Sequence, residues 1–101
     1  MTYQRALSWE LEAGGIEFAR EEKIQLFYKG RHIDTRRVDF VAGECIVEIK
    51  ARKELLPEDF VQTLSYLKAS GFRLALLINF GGKSMVVKRF VNDRGRHTVE
   101  A

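Results

Sequence analysis

Leu74-Ala75-Leu76-Leu77-Ile78 is a run of apolar residues with no polar position inside it. A run that short suits a strand, and the absence of alternation means that both of its faces are covered. It therefore belongs in the middle of a sheet. At 101 residues the chain has room for one core, burying roughly two-thirds of the surface its unfolded form exposes, and residues 1–101 are expected to form a single domain. A hydrophobic share of 46% with a single proline excludes low-complexity disorder and collagen-like repeats.

The other elements are read from periodicity and punctuation. Tyr3, Ala6, Leu7 and Leu11 recur at mostly three- and four-residue steps and Gly14-Gly15 stops them, which predicts a helix over 3–13. Trp9 falls off that stripe. Ile16 to Tyr28 drifts into alternation, Lys29-Gly30-Arg31 turns the chain, and Arg36 to Val41 reads as a second strand. Ala42-Gly43-Glu44 reverses the chain into Cys45-Ile46-Val47-Glu48-Ile49-Lys50, the strongest strand signal present. Pro57-Glu58-Asp59 opens a second helix that Gly71 ends. Arg73 to Asn79 and Met85 to Val91 follow as strands, and 92–101 is expected to be a flexible polar tail. The predicted class is α/β, ordered αβββαβ plus a final strand, with a mixed central sheet.

Asp39, Glu48 and Lys50 stand out because strands that are otherwise apolar carry them. Ile46, Glu48 and Lys50 project from one face of their strand, and Cys45, Val47 and Ile49 from the other. A two-residue turn at Gly43-Glu44 sets Asp39 opposite Glu48, their Cβ atoms roughly 5 Å apart. Two facing carboxylates repel, so a cation between them or a proton on one of them is needed. Hard oxygen ligands suit Mg2+ or Mn2+, with the Ile49 carbonyl as a third donor and Lys50 orienting the attacking water or holding a phosphate. That set describes metal-assisted phosphodiester hydrolysis. The plainer alternative stays open at this point: Lys50 neutralises Glu48 on a solvated face, and a turn of another length separates Asp39 from Glu48.

An Asp on one strand, Glu-x-Lys on the next, then a helix and another strand resembles the PD-(D/E)XK nuclease superfamily, with Val38 where that name has proline. The segments Ala6-Leu7 with Glu10-Leu11, Tyr28-Lys29-Gly30, Arg37-Val38-Asp39-Phe40, Val47-Glu48-Ile49-Lys50-Ala51, Gln62 through Tyr66-Leu67-Lys68 and Leu76 through Gly81 resemble, more narrowly, the bacterial GxxExxY proteins. The resemblance implies a restriction-endonuclease-like core, a metal site at Asp39 and Glu48, Lys50 as the catalytic lysine, and a Gln-x-x-x-Tyr element at Gln62 and Tyr66 beside the active site. A core role for Tyr66, with Gln62 on its polar edge, is the bland alternative. The namesake motif aligns its tyrosine with Tyr3, so its glutamate falls before Met1 and the chain is expected to be an N-terminally truncated member. Glu10 and Glu12 are acids of the same helix, but neither holds the motif position.

Other signals are weaker. Cys45 alone forms no internal disulfide, and with His32 and His97 it makes no zinc cluster, so a cytoplasmic setting is expected. No apolar run reaches the roughly 18 residues of a spanning helix, and no hydrophobic signal core opens the chain. The formal charge of +3 and pI near 9.2 permit a polyanionic partner without requiring one. Lys29, Arg31, Arg37 and Lys68 are the candidate contacts to nucleic acid, DNA in preference to RNA; Lys83, Lys88, Arg89, Arg94 and Arg96 are ambiguous. Gly82-Lys83-Ser84 fails as a P-loop because Leu77 stands where its first glycine belongs. Trp9 and the phenylalanines are expected in the core, and Cys45 as packing. The leading function is a Mg2+- or Mn2+-dependent nuclease. The alternatives are a catalytically weak nucleic-acid-binding member and an interaction module that dimerises through an edge strand at Met85 to Val91.

Overall fold

The computed structural model describes residues 2–93 and 96–100, with side chains from residue 3 to 92 and at Val99. A helix, α1 (Thr2–Ala13), precedes a three-stranded meander, β1 (Ala19–Tyr28), β2 (Arg31–Ala42) and β3 (Cys45–Lys50). A second helix, α2 (Pro57–Ser70), leads to β4 (Leu74–Asn79), β5 (Val86–Asp93) and β6 (Arg96–Glu100). The strands form one sheet in sequence order. β3 and β4 are parallel, with α2 as their crossover, and the other neighbours are antiparallel. This mixed α/β sheet with a helix on each face is the expected fold class.

Each helix covers one face. Leu7 and Leu11 of α1 pack with Phe40, Val47 and Ile78. Leu67, Leu64 and Phe60 of α2 pack with Ile24, Val38, Ile46, Leu77 and Phe90. β4 contributes to both clusters, Leu77 to one and Ile78 to the other, which is why its sequence is apolar without alternation. Helix α1 ends in a Schellman pattern: Ile16 N donates to Leu11 O at 2.9 Å and Gly15 N to Glu12 O at 3.0 Å, with Gly15 at φ 71°. The β1–β2 turn puts Lys29 and Gly30 at φ 49° and 76°, the twist a two-residue hairpin needs.

Three expectations are corrected. The segment expected as a flexible tail instead completes β5 and supplies β6, whose Val99 faces Phe90 across the ladder. A strand at the sheet margin has one neighbour and little core to fill, so its composition can be polar. For the same reason Met85 to Val91 is not an edge: β5 lies between β4 and β6. Finally, Trp9 and Phe27 are 62% and 45% exposed. Trp9 is off the α1 stripe, and a register shift between Leu26 and Phe27 turns the end of β1 outward, where Phe27 meets the His32 ring edge-on. Arg94, and the side chains of Arg96 and His97, lie outside the described residues.

Candidate active site where two strands part

The turn at Gly43 and Glu44, with Gly43 at φ 58°, fixes the β2–β3 register as Ala42↔Cys45, Val41↔Ile46 and Phe40↔Val47. One step further along stand Asp39 and Glu48, and there side chains take over from the ladder. Asp39 N donates to Glu48 Oε1 at 3.0 Å, and Ile49 N donates to Asp39 Oδ2 at 2.7 Å. The two carboxylates are therefore brought together, each bound to the other's strand.

The distortion that permits this lies at Asp39. Val38 and Phe40, two residues apart, pack into clusters on opposite faces of the sheet, so the strand's alternation breaks between them. On β1 the residue between the Arg20↔Phe40 and Glu22↔Val38 pairs is Glu21, at φ 50°. Asp39 consequently opens toward α1. Gln4 Nε2 donates to Asp39 Oδ1 at 3.0 Å and is itself held by Arg20, whose Nη2 donates to Gln4 Oε1 at 2.9 Å. Tyr3, Gln4, Asp39, Ile49 and Ala51 line a cleft of about 210 Å³, and one wall of it is the Tyr3 ring stacked on Phe80. Glu10 and Glu12 are exposed; the α1 residue that reaches Asp39 is Gln4.

Glu48 and Lys50 face α2. Glu48 is buried, and its carboxyl is pushed up to about 7, first by burial and further by the Asp39 charge, against the Asp39 N–H bond and Lys50, which pull it down. Tyr66 is half-buried, and its hydroxyl is raised by burial and then by the Glu48 charge, with Gln62 hydrogen-bonded to it. Gln62 and Tyr66 thus pair on α2, where Tyr66 packs against the core with its hydroxyl within reach of the Glu48 charge. Lys50 Nζ stands 4.0 Å from Asp59 Oδ1, whereas Arg52 Nε lies 3.0 Å from Asp59 Oδ2. Asp59 is 2% exposed and also accepts from Leu56 N at 2.9 Å.

Glu48 makes the stability of the metal-free protein depend on pH. Its folded value lies above the ordinary 4.5, so its contribution to stability is complete below about 4.5 and is lost as pH rises through about 7. Metal-free protein is expected to melt several degrees lower at pH 8 than at pH 5 from this group, which faces Asp39, Lys50 and Tyr66. Glu48→Gln should flatten that difference in a calorimetric pH series. An unaltered difference would remove Glu48 as its source.

The donor set fits a hard divalent cation. A carboxylate has about four lone-pair positions, of which the named N–H donors use two at Asp39 and one at Glu48. Lys50 O accepts from Phe80 N, on the β4 side. Ile49 N points the other way, to Asp39, and in an extended strand its carbonyl points with it. The two carboxylates thus reach the gap between β2 and β3 from opposite faces, Asp39 from the α1 side and Glu48 from the α2 side, each accepting a backbone N–H of the other strand, and the Ile49 carbonyl points toward the same gap. Among the described residues no group of three His, Cys, Asp or Glu side chains is assembled to hold a metal, so remaining ligands there would be water or substrate oxygens.

The basic candidates are less concentrated. Lys29 and Arg31 sit at the β1–β2 tip, roughly 25 Å along the strand from Asp39 by the rise per residue, with Lys29 Nζ 5.4 Å above the Tyr28 ring. Arg37 is exposed opposite Lys23, and Lys68 is exposed in the last turn of α2. Cys45 packs on the α1 face, opposite Glu48, as alternation requires.

Sequence reasoning missed Gln4, Arg52, Asp59 as a buried anchor, and Asn79. Asn79 is 1% exposed and clasps one residue of the β3–α2 loop: Arg52 N donates to its Oδ1 at 2.9 Å and its Nδ2 donates to Arg52 O at 3.0 Å. A polar residue at the end of the apolar β4 run was the available signal.

A family model described as the PD-(D/E)XK nuclease superfamily matches residues 1–90. No curated protein matches. Among solved structures, the crystal structure of SSO0001 is similar at a TM-score of 0.60 and 15% sequence identity, covering 85% of this chain and 46% of that one. The chain thus spans about half the length of that relative, and the likeness is one of fold.

Proposed function

Since the chain belongs to the PD-(D/E)XK nuclease superfamily, we propose that it hydrolyses phosphodiester bonds of nucleic acid, DNA in preference to RNA, with Mg2+ or Mn2+ at Asp39 and Glu48. The observation that carries this is the exchange of hydrogen bonds at the parting strands, Asp39 N to Glu48 and Ile49 N to Asp39, which holds two acids where a ladder would otherwise continue. A bound divalent ion supplies Lewis acidity and lowers the pKa of a coordinated water. Asp39, Glu48 and the Ile49 carbonyl would hold it. Lys50, only loosely tied to Asp59 at 4.0 Å, is free to swing its ammonium to a scissile phosphate or to the attacking water. Gln62 and Tyr66 would border the substrate from α2. On the segments running from Ala6-Leu7 to Phe80-Gly81 we assign the chain to the GxxExxY group, and its lone Cys45 suits a reducing cytoplasm.

The test is cleavage of labelled single-stranded DNA, duplex DNA and RNA in Mn2+, Mg2+ or EDTA. Cutting in Mn2+ or Mg2+ that stops in EDTA is expected. A second reading, nucleic-acid binding with little or no turnover, is favoured by Gln4: α1 offers Asp39 an amide donor in place of a third carboxylate. Binding without metal-dependent cutting would select it.

A further inference from the structure

Beyond the carboxylates, the β3–α2 loop and the β4–β5 loop enclose a pocket of about 280 Å³. Lys53, Lys83 and Lys88 line it, with Glu54 as the one acid, Ser84 as a hydroxyl, and Phe60 on its apolar floor. None of the three lysines has an ion-pair partner among the described residues. The pocket is built in advance. Asn79 clasps Arg52 through both backbone groups, and Gly81 lies so close to the Ala51 and Arg52 backbone that a Cβ there has no room. Both loops are therefore fixed against each other before any ligand arrives, and the cost of ordering them is already met.

The geometry points to a second phosphate-binding position in this pocket, taking a backbone phosphodiester of the same strand that is cut. It rests on the nuclease reading for the identity of the strand. Asn79, on the pocket wall, is the register partner of Lys50, and neighbouring strands lie about 4.8 Å apart. The pocket thus begins about one strand spacing from the lysine of the site, and β5 supplies its far wall through Val86 and Lys88. That short separation suits a phosphate next to the scissile one on the same strand. Lysine serves here as a point charge, and the apolar floor accommodates the sugar.

The experiment is fluorescence anisotropy of a labelled single-stranded DNA of about 20 nucleotides, in EDTA to prevent cutting, across a sodium chloride series. A Lys53→Gln, Lys83→Gln, Lys88→Gln triple variant is expected to bind at least about tenfold more weakly near 0.1 M salt. Its salt slope should fall by about 0.7 for each phosphate that is no longer neutralised. Lys23→Gln, on β1 away from the pocket, should keep the parent slope. A triple variant with the parent's affinity and slope, or a Lys23→Gln variant with an equal loss, overturns the proposal. Inorganic phosphate, titrated at constant ionic strength, should displace the strand no better than sulfate; selective displacement by micromolar phosphate would mark a free-anion site and also overturn it. The two readings fail separately: absence of cutting with pocket-dependent binding removes the nuclease alone, and cutting with pocket-independent binding removes this pocket alone.

Discussion

Glu48→Gln is expected to leave a folded protein whose metal-dependent cleavage rate is lower by at least about a hundredfold, the scale of losing one group that stabilises charge in a transition state. Folding survives because the glutamine amide oxygen can still accept the Asp39 N–H that Glu48 Oε1 accepts at 3.0 Å. It also removes a carboxylate that burial has already pushed up to about 7, so the metal-free variant should be at least as stable as the parent at pH 8. Single-turnover cleavage beside a thermal melt separates the two effects. A variant that cuts at the parent's rate would remove Glu48 from the chemistry, and one that is inactive only because it has unfolded would show in the melt.

Asp59→Ala carries the largest expected stability loss, about 3 kcal/mol in a urea titration, from a cap bond of about 1 kcal/mol and a charge-assisted bond of about 1.5–3 kcal/mol. The side chain is 2% exposed and does two jobs. It accepts from Leu56 N at the start of α2, which is the cap, and it receives the Arg52 guanidinium at 3.0 Å, which is the charge-assisted bond. Asp59→Asn keeps an acceptor for Leu56 N and should cost about half as much. Because Lys50 leans toward Asp59, the alanine variant should also cut more slowly even where it remains folded. A loss under about 1 kcal/mol, less than the cap and the charged bond together, would show that Arg52 and Leu56 find other partners.

The pairing of Asp39 with Glu48 was legible because a two-residue turn is local: once Gly43 and Glu44 reverse the chain, every pair up the hairpin follows. The two-faced burial of β4 was legible for a similar reason, since an apolar run without alternation demands cover whatever its neighbours are. What the sequence could not reveal depends on contacts between distant segments. Asp59 reads as an ordinary acid of a first helical turn, and only the fold places Arg52 and Lys50 around it. The break in alternation at Asp39 is invisible in Arg37-Val38-Asp39-Phe40, because strand periodicity alone puts Val38 and Phe40 on one face. The polar stretch that becomes β6 lacks an apolar pattern, because a marginal strand is specified by its neighbour's unpaired backbone groups.

The gap between β2 and β3 is proposed to hold a divalent ion on Asp39 and Glu48, and on this the chemistry depends. Electron paramagnetic resonance of free Mn2+ tests it most directly, by titrating the ion into the protein with a short DNA strand present, for the parent and for Asp39→Asn. The parent is expected to take up Mn2+ at this site and Asp39→Asn to lose that uptake while melting as a folded protein. Mn2+ uptake unaltered by Asp39→Asn, or no uptake by the parent, would contradict a metal site at these two acids.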